Sequence, residues 1–209
     1  MNEMKKIIIV GAGGHARSCI EVVESEGIYK IAGLVGLKSE KGAEICGYKV
    51  IGSDDDLPNM LNDFEYAVNA LGQIANPVPR MKKFEELRNI GFKTPSVIAS
   101  SAIVASSASI GEGTILMHGS IVNSGATIGR NCIINSFALI EHDCSVGSNT
   151  HISTGALMNG GAVVGSNSFI GSGAILKQGI EVGDNCLVGM GVKLRKNLSE
   201  SQVYLEEDE

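Results

Sequence analysis

From residue 98 onward the chain places an apolar side chain at every sixth position. The series runs Ile98, Val104, Ile110, Leu116, Val122 and so on to Val188 and Leu194, seventeen positions without a slip. The residue two places before each is small at almost every step, from Ser96 and Ala102 to Ala174, with Ile180 and Val192 the larger exceptions. A fixed short period of this kind is the signature of a β-solenoid, whose stacked repeats share one continuous core. A second period lies on the first: Gly111, Gly129, Gly147, Gly165 and Gly183 stand eighteen residues apart. Three hexads therefore make one coil, and three equal flat sides make a triangular prism. The aliphatic and small positions point inward, and glycine sits where the chain turns a corner and a Cβ is awkward. Each buried aliphatic side chain contributes roughly 1.5–3 kcal/mol before entropy is counted, so the rod is expected to be stiff.

The first 95 residues follow another rule. "KKIIIV" is a β-branched run such as a buried parallel strand carries. In "HARSCIEVVESEG" Ala16, Ile20 and Val23 fall at helical spacing before the stop signal Gly27. "YKIAGLV", "YKVIGS" and "EYAVNALG" read as further strands. "DDDLPNMLNDF" reads as a helix start with Pro58 in its first turn, and "VPRMKKFEELRNIGF" as a helix ending near Gly91. Strands and helices in alternation predict a Rossmann-like α/β domain over residues 1–95, followed by a parallel β-helix over 96–209.

Composition narrows the chemistry. Aromatics are 4% and Trp is absent, so the core is aliphatic. The net charge of −6 and the acidic ending "LEEDE" argue against nucleic-acid and anionic-membrane partners. Cys19, Cys46, Cys132, Cys144 and Cys186 are odd in number and scattered, which fits reduced thiols. The apolar run before Gly11 is too short for a signal peptide or membrane span, so the expected location is the cytoplasm.

Two histidines and a carboxylate interrupt the small, aliphatic middle of the rod, in "INSFALIEHDCSVGSNTHISTGA". Ile140 and Val146 point inward, which leaves His142 and Asp143 outside. One coil later stand Gly160 and Gly161, and one coil earlier Ser124 and Gly125, so the imidazole has almost no side chains above or below it. An imidazole titrates near pH 6.5 and suits a general base, with Asp143 or Glu141 to fix its tautomer. His118 is not a multiple of eighteen residues from His142, so it falls on another face and reads as structural or interfacial. No face gathers a histidine cluster, which argues against zinc.

At the N-terminus "VGAGGHA" follows a strand and opens a helix. Gly11, Gly13 and Ala16 satisfy G-x-G-x-x-A, whose loop amides and helix N-terminus form a phosphate cradle. NAD binding requires an acidic residue near the end of the second strand, and "YKIAGLVGLK" has none there. The alternative is that Gly13 and Gly14 merely allow tight packing.

The unbroken hexads preceded by "IIIVGAGGHA" resemble the hexapeptide-repeat acyltransferases, in the branch of sialic acid O-acetyltransferases and nucleotide-amino-sugar N-acetyltransferases. The resemblance spans nearly the whole chain. It implies a left-handed β-helix, acetyl-CoA as co-substrate without a metal, and a homotrimer with active sites between subunits. It implies that His142 in "EHD" is the base supported by Asp143, a position where the branch often has Glu. It also implies that Asn135 and His151 line the acetyl-CoA site, where Gly160, Gly161 and Lys193 are candidates as well. Gly11, Gly13, Gly14 and His15 are then expected to hold a nucleotide-sugar diphosphate, with Arg80 meeting an anionic acceptor. The branch commonly carries an acidic pair after the second strand, where this chain has Gly36 and Leu37. The expected reaction is acetylation of a 4-amino group on a nucleotide-linked deoxysugar in bacterial surface-glycan synthesis. O-acetylation of a sialic-type sugar and a non-catalytic trimeric scaffold are the rivals.

Overall fold

The structure, a computed structural model, describes residues 4–205; the acidic residues after Leu205 lie outside it. The N-terminal elements are β1 (Lys5–Val10), α1 (Gly14–Glu26), β2 (Tyr29–Gly36), β3 (Glu44–Ile45), β4 (Tyr48–Ser53), α2 (Leu57–Met60), β5 (Tyr66–Asn69) and α3 (Val78–Ile90). They form one sheet in the order β3-β4-β2-β1-β5, parallel throughout except for the β3–β4 hairpin. Central β1 buries both faces, as a parallel strand between helices must. Ile7 and Ile9 join one core with α1, while Ile8 and Val10 join another with Leu57, Leu87 and Phe92.

From Val97 the chain winds as a parallel β-helix of two-residue strands, each pairing with the strand one coil on, eighteen residues later as far as Lys193 and sixteen in the last coil. In each strand the second residue points inward. Val122, Ile140, Met158, Leu176 and Leu194 form one such buried column. The three faces differ only in the outward residue. On the first face these are Val97, Ile115, Ile133, His151, Phe169 and Leu187. Its first members are buried because α1 and β1 pack on them: Val97, Ala99, Ile115 and Met117 share one core with Cys19, Ile20 and Val23. On the second face the outward residues are Ile103, Ile121, Leu139, Leu157, Ile175 and Lys193. No element of the described chain covers them, and Ile103 is 60% exposed. The third face presents Ser109, Thr127, Ser145, Val163 and Glu181 to water.

Between Gly113 and Gly191 each corner turns through a left-handed residue. From Gly113 to Gly191 positive φ recurs every six residues, at eight glycines, four asparagines, and two exceptions, Phe137 and Asp143. This conformation costs most side chains about 1–2 kcal/mol, and Gly and Asn tolerate it best. The four asparagines, Asn131, Asn149, Asn167 and Asn185, bond to one another up one edge of the rod. The eighteen-residue glycines on that same edge answer a different need. A Cβ on Gly129 would lie 2.6 Å from the Ser148 amide nitrogen and 2.8 Å from its Cα, inside the coil above. Gly129→Ala is therefore expected to cost about 2 kcal/mol, roughly 4–8 °C in thermal unfolding. Gly13→Ala, which meets nothing within 4 Å, is expected to stay within about 0.5 kcal/mol of wild type.

Candidate active site

His142 and Asp143 stand on the corner between the second and third faces. Asp143 occupies the left-handed position, at φ 59°, and its carboxylate lies over the preceding coil, where a Cβ on Gly125 would come within 2.6 Å of Oδ1. The His142 ring lies over the following coil, where a Cβ on Gly160 would come within 2.5 Å of Nε2. Glycine above and below is thus what lets both side chains adopt these positions. Nδ1 of His142 and Oδ2 of Asp143 are 2.9 Å apart. The carboxylate accepts the Nδ1 proton, which leaves the Nε2 lone pair as the free base. The same bond raises the His142 pKa above its ordinary value, against the opposing effect of desolvation. Glu141, the other candidate orienter, instead accepts a 2.9 Å bond from Asn123 Nδ2 in the coil below.

Asn135 and His151 are placed elsewhere. Asn135 stands on the corner between the first and second faces, and His151 points out of the first face into the junction with the N-terminal domain. The His151 ring is buried edge-on against Phe169. Its Nδ1 donates to the Gln73 carbonyl at 2.5 Å, so Nε2 is left to accept the Asn135 Nδ2 proton at 3.2 Å. Asn135 Oδ1 accepts the Ser136 amide, which fixes the carboxamide's orientation and leaves one Nδ2 proton unused. Burial pushes the His151 pKa down to about 4 and, with help from the Arg80 charge, that of His15 to about 3. Within one chain, then, these residues and His142 do not share a corner.

The glycine loop is open. Gly11, at φ 120°, is closed in by the Ala70 carbonyl at 3.1 Å and admits no side chain. Gly13 and Gly14 meet nothing within 4 Å, so they are not packing glycines. Gly13 caps α1 without a side-chain bond, and its first turn has no acidic residue. The free amides of α1 therefore face open space, an arrangement that favours an anion. His15 borders the loop against Gly72, and its Nε2 has no hydrogen-bond partner among the described residues.

Arg80 corrects an expectation. It is fully buried, donates to the carbonyls of Asn69, Leu71 and Asn131, and has no carboxylate partner among the described residues. Burial draws its pKa down to about 10. It ties the N-terminal sheet to the rod and is unavailable to an acceptor. Glu40 was missed for a related reason. One short turn, Lys38–Glu40, folds its carboxylate back onto the end of β2, where Oε2 accepts the Leu37 amide at 2.7 Å. That oxygen lies 2.7 Å from where a Gly36 Cβ would stand, a point 2.9 Å from Ala12 Cβ in the glycine loop. An acidic group is therefore present at the strand end although none is adjacent in sequence; the i→i+3 spacing from Leu37 was the available signal.

Lys193 lies with Ile175, Lys177, Leu194 and Arg195 around a cleft of about 350 Å³ at the far end of the second face. Among the described residues no group of three or more His, Cys, Asp or Glu could hold a metal ion.

Residues 6–87 match the family described as PglD N-terminal domain. Residues 107–142 and 125–160 match the bacterial transferase hexapeptide, and 161–196 the hexapeptide repeat of succinyl-transferase. PerB from Caulobacter crescentus, solved with CoA and GDP-perosamine, is 30% identical over 98% of this chain and 95% of its own, at a TM-score of 0.90. The chain belongs to the hexapeptide-repeat sugar acetyltransferase family. It is an acetyl-CoA-dependent acetyltransferase, with a Rossmann-like α/β domain ahead of a left-handed parallel β-helix. The acetyltransferase domain of PglB from Neisseria gonorrhoeae, solved with acetyl coenzyme A, is 28% identical, with 98% and 97% coverage and a TM-score of 0.89. WeeI from Acinetobacter baumannii shares the fold at 24% identity, with 95% and 96% coverage and a TM-score of 0.80. A comparison with curated protein sequences found no match. Among the described residues, no helix is long and apolar enough to cross a membrane.

The two buried histidines of this enzyme make its stability acid-sensitive. Both are neutral when folded and bind a proton near pH 6.5 when unfolded. Stability is therefore full above that pH and falls as pH drops from about 6.5 toward 4, by about 1.4 kcal/mol per pH unit for each histidine. Urea unfolding across this window should show that slope. His151→Gln, which keeps a donor for the Gln73 carbonyl, should halve it.

Proposed function

We propose that the enzyme is a homotrimer that transfers acetyl from acetyl-CoA to the 4-amino group of a nucleotide-linked deoxysugar. One observation carries the reading. The N-terminal domain (residues 1–95 in this division) packs on the first face of the rod (96–209), and the His142 corner is opposite that face. The base of one chain and its own glycine loop therefore face apart, and a second chain must bring the acceptor. The uncovered aliphatic second face, with Ile103, Ile121, Leu139, Leu157 and Ile175, supports a three-fold axis running along it. Rotation about such an axis sets the edge carrying Asn135 and His151, with its N-terminal domain, against the neighbour's His142 edge.

In this reading Gly11, Gly13, Gly14 and His15 hold the diphosphate and the Glu40 carboxylate takes ribose hydroxyl protons. Acetyl-CoA lies in the groove between rods, over Gly160 and Gly161, with Lys193, Lys177 and Arg195 near its phosphates. The Asn135 carboxamide, held by His151, donates its spare proton to the thioester carbonyl. The amine lone pair attacks that carbonyl and the CoA thiolate leaves. The proton shed by the nitrogen passes to His142 Nε2, and Asp143 stabilises the imidazolium. The five free thiols and the use of acetyl-CoA suit the cytoplasm.

Thiol release from acetyl-CoA, measured with UDP- and GDP-linked 4-amino sugars beside free and CMP-linked sialic acids, tests the reading. Turnover is expected on an amino sugar, falling at least 100-fold in His142→Ala. Turnover on sialic acids alone would move the reaction to O-acetylation, and none at all would favour a scaffold. The rate should fall as pH drops through an inflection above the ordinary histidine value. Asp143→Asn, which removes the cause of the raised pKa, should move that inflection down.

A further inference from the structure

We propose that Phe137 is donated across the subunit interface as the apolar wall of the acyl pocket, and that it limits the transferred group to acetyl. The inference rests on the trimeric reading above.

Phe137 is anomalous within its own column. The equivalent corner position is Gly119 one coil earlier and Gly155, Gly173 and Gly191 in the three coils after, all at positive φ. Phe137 adopts the same conformation, at φ 58°, although a bulky residue there is strained. Its ring gains little within the chain. It lies over Gly119, where a Cβ would come within 2.7 Å of two ring carbons, and it remains 72% exposed. The other departure from Gly and Asn among these corners is Asp143. Both therefore fall on one coil, Phe137 at one edge of the aliphatic face and the His142–Asp143 pair at the other.

Rotation about an axis parallel to the rod preserves height. The partner subunit's Phe137 therefore arrives at the level of His142, and the aliphatic face brings the two edges together. The chemistry at that level calls for it. Around His142 the corner offers Asn123, Ser124, Gly125, Glu141, Asn159, Gly160 and Gly161, with no apolar side chain among them. A thioester methyl seated beside His142 needs an apolar surface that also excludes water, and the residues of this corner do not supply it. A phenyl ring fixed on a rigid corner supplies both and leaves little room beyond two carbons.

The test replaces Phe137 with asparagine, the residue that four other corners use. Phe137→Asn relieves the strain, so its melting temperature should be no lower than wild type. Sedimentation should still give a trimer. The ratio of kcat/KM for butyryl-CoA to that for acetyl-CoA should rise at least tenfold, with a loss on acetyl-CoA. An unchanged acyl ratio in a trimeric Phe137→Asn would overturn the proposal and leave the trimer standing. Loss of the trimer in that variant would make Phe137 an assembly contact only, which also overturns it. A monomeric wild type would remove the trimeric reading and this one together.

Discussion

The rod depends on one geometric constraint: coils stack in register when the corners of successive coils turn at the same height. Eighteen residues per coil put each corner under its counterpart, and positive φ then recurs every six residues from Gly113 to Gly191. Gly and Asn satisfy that demand cheaply. They also leave corners nearly bare, so any larger side chain placed there stands out from the rod in a fixed direction. His142 uses this. It stands beside Asp143 in the left-handed position, with Gly125 below and Gly160 above giving the pair room. The site is preorganised by the absence of neighbours more than by contacts.

The same regularity makes the three faces chemically independent. Inward residues are interchangeable aliphatics, so only the outward residue of each strand is free to vary by face. One face is spent on the N-terminal domain and clamped by polar groups. Arg80 donates to carbonyls on both sides of the junction, Asn69 bonds to Asn131, and Gln73 reaches Asn149 and Ser168. A guanidinium held by carbonyls alone is costly to bury, and its bonds to Asn69, Leu71 and Asn131 tie the two domains together. That junction sets the N-terminal domain on the face opposite the His142 corner.

Much of this was legible in the sequence. The hexad series gave the coil, and its phase placed His142 and Asp143 outside with glycine around them. The strand and helix runs of the first domain fall where the periodicity put them, save that "DDDLPNMLNDF" makes a three-residue turn at Asp54–Asp56 and one short helix, Leu57–Met60. What did not show was which groups the junction consumes. Arg80 and His151 have the residue types of ligand contacts, and a period within the rod says nothing about what packs on it. Glu40 was hidden because proximity to the glycine loop arises from a turn, not from its place on a strand. The left-handed column was readable three residues after each inward aliphatic, where Phe137 breaks a run of glycines and asparagines.

The central claim is that one chain cannot bring its acceptor to its own base. Subunit mixing tests it most directly. His142→Ala lacks the base, and Gly13→Asp sets a carboxylate in the anion cradle, so each homotrimer should be nearly inactive. Trimers assembled from equal amounts of both should regain about a quarter of the wild-type sites, because base and loop come from different chains at each interface. Mixed trimers with no more activity than either parent would show that each chain serves itself, and would contradict the account.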